Sequence, residues 1–453
     1  MSFLRSQAGR PSAIDLVFIS LMTISILLAG YTGGMESITK ASVDSAKSAV
    51  ELAIGLVGVM ALWLGLIRVL EAGGLMFTLA EWLKPLMIRL FPDVPPTHPA
   101  MGAMLLNISA NMLGLGNAAT PFGLKAMAEL DKLNPFPGTA TNAMCLFLAI
   151  NTSSVAILPL GVIGVRAAAG STLPAAIWVP TFLATAVSTV VGISISVWLG
   201  QRDKNYAKLS SQSYPQISKT KDKSIQIDHL TEIEENPNFD HLLYSPSLLS
   251  RFFSWGCLGA FLGAILYRVI NNDDLGEFIR QEFLAHWLLP ALILLIVIYG
   301  IGRGVKVYEA VTEGAKQGFD IAIRIIPFLV VILVAIGIFR ASGAMDKVIY
   351  FLSPYTAWIG LPADVLPMAL LRPLSGNGAF ALMSEAIERA PNSYSAFVSS
   401  IVMGSTETTF YVLAVYFGSI GIKNIRHGLI AALLADTSGI LSACLFARIF
   451  WSG

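Results

Sequence analysis

Four polar clusters interrupt otherwise apolar segments of this chain, and their side chains could bind a polar solute or an ion. The stretch GSTETTFYVLAVYFG (404–418) carries Glu407 ahead of residues that suit a lipid environment. An ionised carboxylate at the centre of a bilayer costs about 2.5–3.5 kcal/mol on insertion scales. Glu407 must therefore face protein or water, be protonated, or have a partner, and Arg372 in LLRPLSGNGA is the natural partner.

The other cluster members carry amide and hydroxyl groups, which suit hydrogen bonding to a polar solute or coordination of a cation. Asn107 and Asn111, for example, lie one turn apart on a single helix face. The residues that we expect to bind a ligand are Asn107, Asn111, Asn117, Asn151, Thr152, Ser153, Ser154, Arg372, Ser375, Asn377, Ser405, Thr406, Glu407 and Thr408. The alternative is a Glu–Arg lock with interhelical hydrogen bonds, which are common in membrane packing. For Asp436, a structural role and a proton-coupling role both stay open.

Enzymatic chemistry has little support in the sequence. There is no P-loop, no HExxH motif and no nucleophile elbow, and neither Ser153 nor Ser375 has an adjacent histidine. The three cysteines, Cys145, Cys257 and Cys444, are scattered in apolar context, and the five histidines form no ligand-spaced cluster. We therefore expect no catalytic residues, no metal site and no cofactor.

The elements that must position these clusters are membrane helices. Hydrophobic residues make up 55% of the 453 residues, charged residues only 13%, and the mean hydropathy is +0.68. Continuous apolar runs of about 18 or more residues predict an all-α polytopic membrane protein in contact with a lipid bilayer. The net charge of +1 gives no reason to expect nucleic acid. The predicted segments are 12–30, 47–70, 101–120, 140–162, 176–199, 252–270, 285–302, 319–340, 363–383, 397–420 and 428–450.

A polar linker divides the chain into two membrane halves. It spans 201–250, begins basic and turns acidic, so we predict membrane repeats at 1–200 and 251–453, with an extra span at 252–270. Arg5, Arg10 and the basic start of the linker place the N-terminus and the linker on the cytoplasmic side of the inner membrane. The first half must then cross an even number of times. The segment 101–120, rich in Asn and Gly, is the best candidate for a re-entrant or broken helix.

The two halves contain an internal repeat. AKSAVE (46–51) recurs as AKQGFD (315–320) after 269 positions, and EAGGLM (71–76) meets RASGAM (340–345) at the same offset. LGNAA (115–119) resembles SGNGA (375–379), and NTSSVAIL (151–158) resembles TETTFYVL (406–413). The extra span reverses the second half, so the sequence predicts inverted repeats whose broken segments meet near the bilayer midplane.

Long motifs in both halves resemble a known family. HPAMGAMLLNISANMLGLGNAATPFGLKAMAEL with TNAMCLFLAINTSSVAILP is similar to spore maturation protein A, over about residues 32–200. LLRPLSGNGA with GSTETTFYVLAVYFGSIGIKNIRHGL and ADTSGI is similar to spore maturation protein B, over about residues 285–451. The resemblance implies a natural fusion with two nucleoside-recognition or gate domains. Related domains occur in concentrative nucleoside transporters and ferrous-iron permeases, and in spore formers the pair is associated with core dehydration.

Two functions fit these observations. The first is an inner-membrane transporter or permease for a small polar solute or ion, with Glu407 as ligand or coupling carboxylate and Arg372 as its counter-charge. The second is a membrane assembly or signalling component related to spore maturation or the envelope, in which the polar clusters only join helices. A homo-oligomer is compatible with either.

Overall fold

The computed structural model describes residues 13–114, 116–153, 155–203, 239–246, 248–271 and 287–451. Within these ranges the chain is helical, with two isolated β-bridges and no strand. This confirms the predicted all-α class. Most of the predicted polar linker, at 204–238, lies outside the described residues, so the domain boundaries stay a prediction.

The first repeat contains eight α-helices within its described residues. They are α1 (Ala13–Thr32), α2 (Met35–Ala72), α3 (Leu75–Leu90), α4 (Pro99–Met112), α5 (Gly116–Lys132), α6 (Asn142–Ser153), α7 (Leu160–Ala168) and α8 (Trp178–Arg202). The second repeat follows the same order after one additional helix. Its helices are α9 (Leu248–Ile270), α10 (Leu288–Arg303), α11 (Val307–Ala341), α12 (Ala344–Ile359), α13 (Leu366–Leu371), α14 (Gly376–Arg389), α15 (Tyr394–Ser405), α16 (Thr409–Ser419) and α17 (Gly428–Phe450).

The predicted offset of 269 positions between equivalent residues of the two repeats is confirmed at one place in the fold. There a long helix, α2 or α11, turns sharply into an amphipathic helix, α3 or α12. Helices α3 and α12 begin and end 269 positions apart, and so do the ends of α2 and α11. Each turn uses a glycine in the left-handed region, Gly74 (φ 75°) and Gly343 (φ 75°), where a side chain would be strained. In the second repeat the turn bends the chain by 83°.

Equivalent helices of the two repeats pack antiparallel. Along α2 and α11 the contacts run in opposite directions, because Gly65 meets Val311 at one end and Ser45 meets Gly337 at the other. A Cβ on Gly65 would lie 2.6 Å from the carbonyl oxygen of Val311, so the absence of a side chain permits this close approach. Antiparallel packing of equivalent helices is what inverted repeats require, and it confirms the predicted topology.

Helices α4 and α5 form a hairpin, as do α13 and α14. The first hairpin breaks between Met112 and Gly116, inside the segment predicted to be broken or re-entrant, and α4 packs along α5. In the second hairpin, Asp364 before α13 lies 3.5 Å from Arg389 at the end of α14, so both ends of that hairpin are at one end of the molecule. The tips of both hairpins carry polar clusters.

Five helices within the described residues are long and apolar enough to cross a membrane, and a bent pair at 329–359 makes up to six. The five are Met35–Ala72, Pro174–Arg202, Phe252–Ile270, Tyr394–Ser419 and Gly428–Phe450. The chain is therefore a polytopic membrane protein. Helices α3 and α12 were not among the predicted segments, because each buries only one face and exposes large side chains such as Trp82 and Trp358.

The segments 140–162, 363–383 and 397–420 each contain two helices separated by a break, which confirms the prediction of broken segments. One pairing between the repeats needs correction. The pairing of NTSSVAIL with TETTFYVL is wrong in register by three residues, because α6 and α15 begin and end 252 positions apart instead of 255. The hydroxyls of Thr141 and Ser393 cap the two helices and fix this register, which apolar sequence does not reveal.

Candidate functional site

The site forms where the broken helices α6–α7 and α15–α16 cross. Helix α6 ends at Ser153 and α15 ends at Ser405. In both places the backbone is non-helical, at 155–159 and at 406–408, before the next helix begins. The backbone N–H of Glu407 donates to the carbonyl of Thr152 at 2.7 Å. This bond satisfies one of the carbonyls exposed at the end of α6 and joins the two repeats directly.

The backbone at or next to each of these breaks also bonds to the hairpin of its own repeat. The N–H of Ile157 donates to the carbonyl of Met112 at 2.9 Å, at the end of α4. The N–H of Phe410 donates to the carbonyl of Pro373 at 3.0 Å, just after α13. Because non-helical backbone inside a membrane must find partners within the protein, these bonds explain how four breaks coexist at one level.

Three asparagines of the first repeat are joined through one tyrosine of the second. The Nδ2 of Asn107 donates to the hydroxyl of Tyr416 at 3.1 Å, and that hydroxyl donates to Oδ1 of Asn151 at 3.3 Å. The Nδ2 of Asn111 donates to the same Oδ1 at 2.9 Å. Sequence reasoning missed Tyr416, since a tyrosine in an apolar helix carries no signal. Its hydroxyl fits because residue 123 is glycine, where a Cβ would lie 2.1 Å from it.

The charged pair expected from the sequence is present. The guanidinium of Arg372 lies 3.6 Å from the carboxylate of Glu407. The side chain of Arg372 is only 3% exposed, whereas that of Glu407 is 45% exposed. Arg372 also donates to the backbone carbonyl of Thr406 and, at 3.1 Å, to the hydroxyl of Thr408. The arginine therefore holds the break between α15 and α16, while its carboxylate partner remains accessible.

A second carboxylate lies behind this pair. Asp436 of α17 is 2% exposed, and its Oδ2 accepts a hydrogen bond from the hydroxyl of Thr409 at 2.6 Å. Its other oxygen and the hydroxyl of Thr406 are buried and have no hydrogen-bond partner within the described part of the chain. Two carboxylates and one guanidinium thus stand at this break, so the cluster carries one net negative charge when all three are ionised.

A cavity of about 190 Å³ adjoins the crossing. That volume corresponds to roughly six water molecules at ~30 Å³ each. Polar groups enter its wall from Asn111, Thr406 and Glu407, and these come from both repeats. The rest of the wall is mainly apolar, with Leu160 and Val162 of α7 and Met403 of α15 among its residues. Concave sites with a few convergent polar groups in an apolar wall are typical of ligand binding.

Several predicted residues serve other purposes. The hydroxyls of Thr152, Ser153 and Ser405 donate to carbonyls of their own helices. Ser375 caps α14 by accepting from the N–H of Gly378 at 3.1 Å. The side chains of Asn117 and Ser154 lie outside the described residues.

Asn377 was expected to face the other clusters but is exposed. Its neighbours explain the difference. A Cβ on Gly376 would lie 2.7 Å from the hydroxyl oxygen of Thr408, and Gly378 approaches Ile332. Because these two glycines give α14 its close packing, the residue between them turns its side chain away from the interface.

Comparison with known proteins links both halves to one family. The Gate family, described as nucleoside recognition, matches residues 53–169 and 322–423. Spore maturation protein A of Bacillus subtilis (strain 168) is 40% identical over 191 residues, which cover 42% of this chain and 97% of that protein. Spore maturation protein B of the same organism is 42% identical over 165 residues, covering 36% of this chain and 93% of that protein. No solved structure matches the chain.

Proposed function

The chain belongs to the family of spore maturation proteins A and B with Gate domains, and we propose that it is a permease for a small polar solute or ion. The solute would bind in the cavity between the two repeats. The observation that carries this proposal is the pairing of an accessible Glu407 with a buried Arg372 at a wall to which Asn111 and Thr406 also contribute.

Each polar group of the cavity has a distinct proposed role. Glu407 binds the solute or its coupling ion, because it is the accessible charge at the wall. Arg372 is the counter-charge of that carboxylate and fixes the backbone at the break. Asn111 supplies amide contacts from the first repeat, and Asn151 and Tyr416 fix its orientation. Thr406 of the second repeat forms part of the wall beside Glu407.

The inverted repeats supply the conformational part of the proposal. Two structurally equivalent bundles of opposite orientation can exchange conformations, so that a central site opens to one face and then to the other. We place the linker face in the cytoplasm and the protein in the inner membrane. Basic residues at that end, such as Arg202, Arg303, Lys306 and Lys423, support this orientation by the positive-inside rule.

A second candidate is a membrane assembly component in which the cluster only joins the repeats. The observation in its favour is that Arg372 is almost fully buried and bridges the break through Thr406 and Thr408. Under this reading the cavity would bind nothing, and Glu407 would matter only through its contribution to stability.

Thermal unfolding of the purified full chain separates the two candidates. Nucleosides, amino acids, dicarboxylates and divalent cations would be tested one class at a time. A ligand at 100 times its Kd stabilises the folded state by about 2.7 kcal/mol, which is a clear shift in Tm. Glu407→Gln should abolish the shift, whereas Glu51→Gln, at an exposed pair with Lys47, should leave it unchanged. A shift that survives Glu407→Gln, or no shift with any class, would count against this site.

A further inference from the structure

A second buried arginine lies beside the cavity and was not predicted from the sequence. Arg166 of α7 is 2% exposed. Within the described part of the chain it forms no ion pair with a carboxylate. Its guanidinium donates to the hydroxyls of Ser171 at 2.9 Å and Ser400 at 3.4 Å, it lies over the ring of Phe397, and its Nε has no hydrogen-bond partner. A buried cation without a carboxylate partner is costly, so packing alone does not account for an arginine at this position.

The position of Arg166 relates it directly to the cavity. Val162 lines the cavity, and Arg166 lies one turn further along the same face of α7. Across from it, Gly404 of α15 lines the cavity, and Ser400 lies one turn away along α15. The bond between Arg166 and Ser400 therefore closes α7 against α15 on the side of the cavity away from the linker.

The equivalent helix of the second repeat, α16, carries no charged residue. Helices α7 and α16 are equivalent, and Arg166 is the seventh residue of the first. The seventh residue of α16 is Val415, a partly buried apolar side chain. One side of the cavity thus carries a positive charge between its closing helices, and the corresponding position on the other side does not.

We propose that Arg166 is a gate residue that closes the cavity toward the face opposite the linker and blocks the leak of cations there while α7 and α15 are held together. This rests on the proposed function, because it treats the cavity as part of a permeation path. A fixed guanidinium in a low-dielectric constriction repels cations, including hydrated protons, while neutral and anionic solutes meet no such barrier.

Potassium leak from liposomes containing the purified full chain tests this proposal without any knowledge of the solute. Arg166→Met should raise the leak roughly 15-fold, the factor expected when one positive charge ~10 Å from the path is removed at an effective dielectric constant of ~20. Arg166→Lys keeps the charge and Ser400→Ala keeps the guanidinium, so both should stay close to the wild-type rate. Thermal unfolding confirms that each variant is folded.

Three results would contradict the proposal that Arg166 is a gate residue. The first is a folded Arg166→Met variant with the wild-type rate of leak. The second is an equal rise in leak in all three variants, which would show that the packing of the helices, and not the charge, forms the barrier. If Arg166→Met does not fold, Arg166→Gln replaces it, since glutamine can still bond to Ser171 and Ser400. The third is failure of both neutral variants to fold while Arg166→Lys folds, which would assign the charge to folding. The proposed function is judged separately, by the ligand-induced Tm shift of the wild-type chain.

Discussion

The pair Arg372–Glu407 should respond very differently to loss of one partner or the other. At 3.6 Å and an effective dielectric constant of about 20, the Coulomb attraction is roughly 5 kcal/mol before desolvation is counted. Glu407→Gln removes a half-exposed partner but leaves Arg372 its hydrogen bonds to Thr406 and Thr408 and the nearby carboxylate of Asp436. Glu407→Gln should therefore cost only about 1 kcal/mol of unfolding free energy, the upper range for accessible ion pairs.

Arg372→Gln should cost about 3–5 kcal/mol, the range measured when one partner of a buried pair is removed. It deletes the hydrogen bonds to Thr406 and Thr408 and leaves Asp436 as a buried carboxylate without the neighbouring positive charge. Unfolding of the purified variants, followed by tryptophan fluorescence against temperature or denaturant, gives both values. Equal losses in the two variants would refute the reasoning, because they would show that the hydrogen bonds of Arg372 and its proximity to Asp436 add nothing to stability.

Two further predictions concern packing and pH. Gly318→Ala should destabilise the fold by about 1–3 kcal/mol, because its Cβ would lie 2.7 Å from the Cα of Ala61. The control is Gly263→Ala, which lies on open helix surface and should be neutral or stabilising by up to about 1 kcal/mol. Burial, together with the charge of Arg426, lowers the pKa of His427 to about 4. The unfolded chain then binds a proton that the folded chain does not, so stability should fall by about 2 kcal/mol between pH 7 and pH 5. His427→Gln should remove that part of the pH dependence of unfolding, and an unchanged pH profile in the variant would contradict the assignment.

The internal repeat could be recognised in the sequence where glycines mark the ends of helices. Gly74 and Gly343 each turn a long helix into an amphipathic one, so the offset of 269 could be read without a structure. The pairing of 151–158 with 406–413 was misread by three residues. There the repeats share only small and hydroxyl residues, and the caps that set the register lie at the far ends of the helices.

The sequence predicted the charged pair of the candidate site but not two of its other residues, Tyr416 and Arg166. Glu407 and Arg372 were recognisable because a charge in an apolar run is expensive. Tyr416 was not, because only the contact with Asn107 and Asn151 gives it a role. Arg166 follows the predicted span 140–162 and so reads as an ordinary loop charge. The break between α6 and α7 extends the buried part of the chain beyond residue 162, and Arg166 is therefore a buried residue.

The two repeats share a backbone but divide the chemistry of the site between them. Helices α5 and α14 begin 260 positions apart, which places Met112 opposite Arg372 in the repeat alignment. The first repeat contributes the neutral amides Asn107, Asn111 and Asn151, and the second contributes Arg372 and Glu407. Symmetry of the backbone provides two equivalent ways to pack the bundles, as alternating access requires. Under the proposed function, asymmetry of the side chains would give a bound solute a fixed orientation, since a charged end would meet only the second repeat. A transporter needs both properties, whereas a purely structural joint would need neither an accessible carboxylate nor a cavity beside it.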